Sequence, residues 1–434
     1  MKRLTALALT LCISIGAFSG CAKSPSNSSS DSSKPVTLTI TWWGSQSRHD
    51  YTKKLLEQYT QLHPNVKFQS TPLGWDDYES KLSTQTAGGL LPDLVQMDYS
   101  FISTFSQNGS LANLQSYVSN KTIDMSSVDK NLLSSGKIGG KLTGIVISTT
   151  AMAVSYNPDV WTRAGLSAPK DNWTWDDFVS DMITIRQKTG VYGETELYTT
   201  SMNEMYNYWL RQYGKTLFSS DGKKLGYTDD KLFVDFVNVL KKLQDTQAAP
   251  SPDQETQITA KGKEARPVVT GQAGAIFDMS NYPTIVNASN PNLKLVTLPN
   301  NETKAKPMYI KPGMFFSVAN SSKNKTAAAE FINWFINDLD ANKVINCERG
   351  VPVSSKIRDE MKSSVNTQTQ QMFDYIDKVS ADSSVIDPPS PTGAPEVQND
   401  LSNEISSVLY GKKTAEQAAA AFRSEAAAVM SRNS

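Results

Sequence analysis

The order strand, helix, strand, helix, strand over residues 36–97 limits this chain more than any other feature it contains. Val36, Leu38, Ile40 and Trp42 alternate with threonines, the period of a half-buried strand. Tyr51, Leu55, Leu56, Tyr59 and Leu62 recur at helical spacing, and His63-Pro64-Asn65 predicts where that helix ends. Residues 66–69 form a second short strand, residues 76–87 a helix stopped by Gly88-Gly89, and residues 93–97 a third strand. Helices between successive strands at this spacing imply βαβ units, a parallel sheet and the α/β class. Open sheets of that class bind ligands beyond the carboxyl ends of their strands. Residues 43–49 and 98–101 are therefore binding candidates on physical grounds alone.

The same reading continues downstream. Residues 144–156 are β-rich and end at Asn157-Pro158, and Thr174-Trp175-Asp176-Asp177 opens a helix through Phe178, Met182 and Ile185 with capping-box character. Residues 232–243 are an amphipathic helix, residues 273–277 and 314–318 are buried strands, and residues 326–339 and 415–430 are helices. No internal repeat is present. With 434 residues, 39% of them hydrophobic, two domains are expected rather than one.

Charge and rare residues exclude several classes of function. Forty-three basic residues balance forty-three acidic ones, so no net field recruits nucleic acid or an anionic membrane surface. Only His49 and His63 are present, which rules out a multi-histidine metal site and leaves little material for a histidine base. The three cysteines, Cys12, Cys21 and Cys347, include no Cys-x-x-Cys pair.

The N-terminus reads as an address. Lys2 and Arg3 precede an apolar run over residues 4–18, too short to span a bilayer and suited to a signal peptide. It closes on Phe18-Ser19-Gly20-Cys21, which resembles the bacterial lipobox, so residues 1–20 would be removed and Cys21 would carry lipid. More than one acyl chain would hold the protein firmly at the membrane. An ordinary secretory signal that happens to end in cysteine is the alternative. Residues 21–35, rich in serine and polar residues, would form a flexible tether. Cys347 would then have no intramolecular disulfide partner.

Several strings, in order, resemble the extracellular solute-binding proteins of carbohydrate-uptake ABC importers, the group that includes maltose-binding protein. They are Trp42-Trp43-Gly44-Ser45, His63-Pro64-Asn65-Val66 and Leu91-Pro92-Asp93-Leu94-Val95. Ser155-Tyr156-Asn157-Pro158-Asp159, Trp173-Thr174-Trp175, Asn324-Lys325-Thr326-Ala327 and Arg349-Gly350-Val351-Pro352 follow. The resemblance implies a two-lobed, periplasmic-binding-protein-like α/β fold with hinge crossings and a ligand cleft between the lobes. One lobe would hold residues 36–149 and 313–362, the other residues 150–312 and 363–434. It further implies a lipid-anchored monomer without cofactor or metal, which captures a sugar or oligosaccharide and passes it to ABC importer permease subunits, with no catalysis. A surface glycosidase using two carboxylates is the main alternative. The same fold serving a non-sugar ligand or a sensory kinase is another.

Sugars present apolar C–H faces and polar hydroxyl edges, so a sugar cleft needs aromatic platforms and paired hydrogen-bonding groups. In the loop 43–49, Trp43 can stack, Gly44 allows close approach, and Ser45, Gln46, Arg48 and His49 supply polar groups. The bland reading is a solvated connection with Arg48 paired to a nearby carboxylate. Asp98 and Tyr99 follow the third strand, where the family often places a sugar ligand, although Asp98 also suits a helix cap. Trp75 reaches either cleft or core. In the second lobe, Asn207 and Trp209 lie on a probable helix, of which only one face can look inward. The resemblance places Asp278, Asn281 and Tyr282 where many relatives carry a stacking tryptophan, absent here. Lys311, Gly313 and Arg349 sit at a crossing and a turn, and serve structure as readily as binding. Arg48-His49 together with Lys311 and Arg349 would suit an acidic sugar.

Overall fold

The computed structural model describes residues 35–75, 77–198 and 202–432. The expected signal segment, Cys21 and nearly all of the tether lie outside them. In chain order the strands are β1 (Val36–Trp43), β2 (Val66–Leu73), β3 (Leu94–Met97), β4 (Lys137–Ile138), β5 (Lys141–Leu142), β6 (Ile145–Thr150), β7 (Met152–Tyr156), β8 (Tyr192–Thr195), β9 (Ala273–Met279), β10 (Lys294–Val296) and β11 (Lys311–Val318). β4 and β5 pair only with each other. The rest form a five-stranded sheet ordered β2-β1-β3-β11-β6 and a four-stranded sheet ordered β10-β7-β9-β8. β1 runs parallel to β2 and β3, as the βαβ reading requires, while β11 returns antiparallel between β3 and β6.

β1 is more deeply buried than its alternating pattern implies. Leu38, Ile40 and Trp42 are at most 1% exposed, but so is Thr41 on the opposite face. Thr37 is exposed, but Thr39 and Thr41 hydrogen-bond within the fold. The Thr41 hydroxyl donates to Thr71 O at 2.7 Å, and the Thr39 hydroxyl donates to Asp93 Oδ2 at 2.7 Å. Burial without a partner would have cost each hydroxyl ~1–3 kcal/mol.

Each sheet carries its own core. The first packs against the helices Gln46–Leu62 and Lys325–Asn337, and the second against Trp175–Thr189, Lys231–Asp245, Ala394–Leu409 and Ala415–Arg432. A smaller cluster around Val268, Ile276 and Tyr282 completes the second lobe. The capping box at Thr174 forms as expected. Its hydroxyl accepts from Asp177 N, and Asp177 Oδ2 accepts from Thr174 N, both at 3.0 Å. Glycine at position 190, with φ of 74°, ends that helix in the left-handed conformation.

Two boundaries differ from the sequence reading for physical reasons. The β-rich run 144–156 is split at Ala151, where one continuous apolar stretch serves two sheets and the chain passes between lobes. The helix Thr367–Ala381, assigned by resemblance to the second lobe, packs on β10 and the helix Tyr282–Ile285 there, but it also adds Met372, Phe373, Ile376 and Val379 to the first core. Its Tyr375 hydroxyl nevertheless donates to Met152 O at 2.6 Å, so this helix straddles the junction. No helix among the described residues is long and apolar enough to cross a membrane.

Candidate functional site

The registers point both sheets at the same junction. β1, β2, β3 and β6 run in one direction, so Trp43, Leu73, Met97 and Thr150 end on one edge. The chain leaves that edge at Ala151 and enters β7 directly. In the second sheet Met152 pairs with Met279, and β8 runs parallel to β9, so the carboxyl ends of β8 and β9 also face the junction. Ser280 N donates to Ala151 O at 2.7 Å, and the Ser280 and Thr150 hydroxyls lie 3.2 Å apart. The strand ends where open α/β sheets bind ligands therefore converge, from both lobes, on one junction.

An aromatic shelf lines the first-lobe side. The Trp43 ring lies 5.1 Å from both Trp75 and Tyr78 and 6.2 Å from Phe101, each contact edge-to-face. The Tyr78 hydroxyl donates to Gln96 O at 2.8 Å, which fixes the base of the cluster. Trp43 is only 7% exposed, whereas Trp75 is 51% exposed. The inner ring thus acts as a foundation, and Trp75 offers an uncovered apolar face held at a defined angle. Its exposure rules out the core reading of Trp75.

The segment expected as a loop after β1 is mostly helix. Ser45 is the N-cap, accepting from Arg48 N, and Gln46, Arg48 and His49 occupy the first turns of Gln46–Leu62. Gln46 donates along the helix to Asp50 at 2.7 Å. Gly44 is required by proximity, since a Cβ there would sit 2.4 Å from the Arg48 side chain. Arg48 lies across the strand end, its Nε 2.9 Å from Glu348 Oε2 and its Nη1 3.3 Å from Trp43 O. Tyr51 donates to the same Glu348 oxygen at 2.5 Å. Burial alone would raise the Glu348 carboxyl, but hydrogen bonds from Arg48 and Tyr51 and the charges of Arg48 and Arg349 hold it below its usual range.

Arg349 is a structural residue, which settles against the cleft-rim reading. It is buried, donating to Gln96 Oε1 at 3.2 Å, Thr52 Oγ1 at 3.1 Å and the Tyr51 hydroxyl, with its guanidinium over the Tyr51 and Phe335 rings. Desolvation lowers its pKa to about 10, with the Arg48 charge adding to the effect. His49 Nδ1 accepts from Trp42 Nε1 at 3.2 Å, and burial followed by the Lys53 charge pulls its pKa down. Asp98 closes a turn, its Oδ1 accepting from the backbone and hydroxyl of Ser100, while the N-cap of the next helix, Ile102–Gln107, is Phe101 rather than Asp98. Gly313 lies in the irregular part of β11, where a Cβ would come within 2.4 Å of Ser148 Oγ.

Second-lobe candidates fare unevenly. Trp209 is 4% exposed and packs edge-to-face on Trp175 in the core, because its side of the helix Met202–Gln212 faces inward. Tyr282 is fully buried and donates to Lys263 O at 3.0 Å, so neither ring reaches the cleft. Asp278, one residue before the end of β9, pairs with Lys263 at 2.9 Å, with Asn281 half-buried just beyond the strand. Asn207 donates to Asp387 Oδ2 at 2.6 Å and accepts from Leu217 N at 2.9 Å. Lys311 reaches across the crossing to Glu204 at 3.3 Å.

Residues that organise the junction had no local signature. Asp387 joins both lobes: its carbonyl accepts from the Tyr99 hydroxyl at 2.6 Å, and its carboxylate takes Asn207 and Arg211. Arg211 also donates to Pro307 O at 2.8 Å and Val385 O at 2.9 Å, tying two crossing segments to one helix. Glu348, Gln96 and Glu204 were likewise missed. Nothing near them in sequence announces a partner that is remote along the chain.

Below the second-lobe edge, Glu194 is buried, and burial with the charges of Glu255 and Glu196 pushes its carboxyl well above the usual range. The folded protein then keeps a proton that the unfolded chain releases near ~4.3. Stability contributed by this site must fall as pH rises above that unfolded value towards the raised folded one. Glu194→Gln is therefore expected to raise the melting temperature over the parent at pH 8, with the gain shrinking towards pH 4. An offset equal at both pH values would contradict this protonation state.

Residues 44–338 match the family described as bacterial extracellular solute-binding protein. A solved extracellular solute-binding protein of family 1 from Alicyclobacillus acidocaldarius superposes with a TM-score of 0.80 at 29% identity, covering 92% of this chain and 100% of its own. A periplasmic oligogalacturonide binding protein from Yersinia enterocolitica superposes at 0.75 with 25% identity, covering 92% and 100%. A Brucella abortus (strain 2308) protein named for a binding role is 23% identical over 393 residues, 87% of this chain and 89% of that one.

Proposed function

The chain belongs to the bacterial extracellular solute-binding proteins, and on that premise we propose that it captures a sugar or short oligosaccharide and delivers it to an ABC importer. The exposed Trp75 ring, braced on Trp43 at the strand-end edge between two lobes, carries this reading. Such a face suits the C–H surface of a pyranose, while backbone and side-chain groups at both edges can bond its hydroxyls. The named ligand of the Yersinia relative, an oligogalacturonide, supports a carbohydrate.

The mechanism is capture by closure. The lobes are joined at residues 150–151 and 310–311 and near 382–387, so they can rotate about a narrow hinge. Ligand contacting both edges favours the closed state by its differential affinity, and the permease subunits would read that closed shape. The family binds its substrates, and capture without turnover follows. Cys21 would carry the lipid, with residues 21–35 as the leash of a monomer working outside the cytoplasm.

Melting of the purified protein against a carbohydrate panel tests this directly. A ligand specific to the folded state adds roughly 2.7 kcal/mol at a hundredfold excess over Kd. One carbohydrate class is expected to raise the midpoint, with the sugar recovered chemically unchanged. Silence across the panel by both melting and calorimetry would sink the carbohydrate reading, and hydrolysis products at catalytic turnover would sink capture without turnover.

A further inference from the structure

The cations at the cleft edge are already spoken for. Lys311 meets Glu204 at 3.3 Å, Arg48 meets Glu348 at 2.9 Å, and Lys263 meets Asp278 at 2.9 Å. Arg211 is held by Asp387, and Arg349 spends its donors on Gln96, Thr52 and Tyr51 inside the lobe. His49 uses Nδ1 as an acceptor from Trp42, so that nitrogen carries no proton. Of the cationic set that suited an acidic sugar in sequence, Arg48 and Lys311 therefore carry carboxylate partners from within the fold, and Arg349 is buried.

From this we infer that the cleft selects uncharged sugars, with Glu204 and Glu348 as the residues that set the selection by occupying Lys311 and Arg48. This rests on the carbohydrate reading above. A ligand carboxylate entering the cleft would have to displace a protein carboxylate already tethered beside its cation. The exchange swaps one anion for another and gains little Coulomb energy, while the displaced Glu204 or Glu348 would repel the newcomer. Neutral hydroxyls meet no such competitor, and the Trp75 face favours them without regard to charge. Glu204 is placed to act this way because its side chain and that of Lys311 are each about a third exposed beside the crossing, within reach of a ligand.

The test separates charge from shape. Calorimetry on the purified protein would compare neutral trisaccharides of glucose, xylose and galactose, trigalacturonate, and the methyl ester of trigalacturonate. At least one uncharged sugar is expected to bind, and free trigalacturonate to bind no better than a tenth as tightly. Glu204→Gln and, separately, Glu348→Gln should each narrow that gap at least threefold, with salt weakening the gained uronate binding. Parental protein binding trigalacturonate more tightly than every uncharged sugar would overturn the inference while leaving the carbohydrate reading intact. Discrimination unchanged in both folded variants would overturn the role of these carboxylates. Silence towards all sugars would sink the carbohydrate reading and this inference with it.

Discussion

Trp75→Ala is expected to weaken sugar binding by roughly 30-fold, about 2 kcal/mol, the loss usual for an aromatic anchor at the centre of a binding surface. The same substitution should leave the melting temperature of the free protein nearly unchanged. Trp75 is half exposed, and removing an exposed ring costs within ~0.5 kcal/mol of stability. That pairing of effects is the informative part, because Trp43 beneath it is buried and its loss would disturb both quantities. Titration calorimetry and thermal melting on one preparation would read both. Undiminished affinity would remove the shelf from the site, and a large drop in melting temperature would make Trp75 a packing residue.

Arg349→Ala should produce the largest stability loss of any single change considered, ~3–5 kcal/mol, the range for removing one member of a buried charged network. Its guanidinium holds Gln96, Thr52 and Tyr51 in three directions, and Tyr51 in turn donates to Glu348. Truncation leaves those groups buried without their donor and opens a cavity against Phe335. Arg349→Lys should recover only part of the loss, since an ammonium cannot span a three-way fork. Denaturant unfolding followed by fluorescence would show an early transition of the first lobe, because the two cores are separate. A midpoint unchanged from the parent would mean that the network does not hold the lobe edge.

The contrast between these two residues shows what was legible in the chain. Arg349 and Trp75 were both candidates for the cleft, each with an equally serious structural reading. Arg349 proves buried, and Trp75 lies outside the core. Trp209 and Tyr282 went the way of Arg349, because aromatic residues on a helix or after a strand look alike in sequence whether they face core or cleft. The acidic-sugar hint rested on cations alone, and the sequence does not display the carboxylates that pair with Arg48 and Lys311.

Local pattern alone carries the βαβ start, the capping box at Thr174 and the glycine stops. Those features are written at spacings of two to four residues, which one stretch of chain displays without help from any other. Only the tertiary structure decided the division of one β-rich run between two sheets at Ala151, the burial of Thr41 and Arg349, and the pairing of Arg48 with Glu348. These depend on groups brought together from opposite ends of the chain. Charge pairing and burial are properties of neighbours in space, and local periodicity carries no record of them.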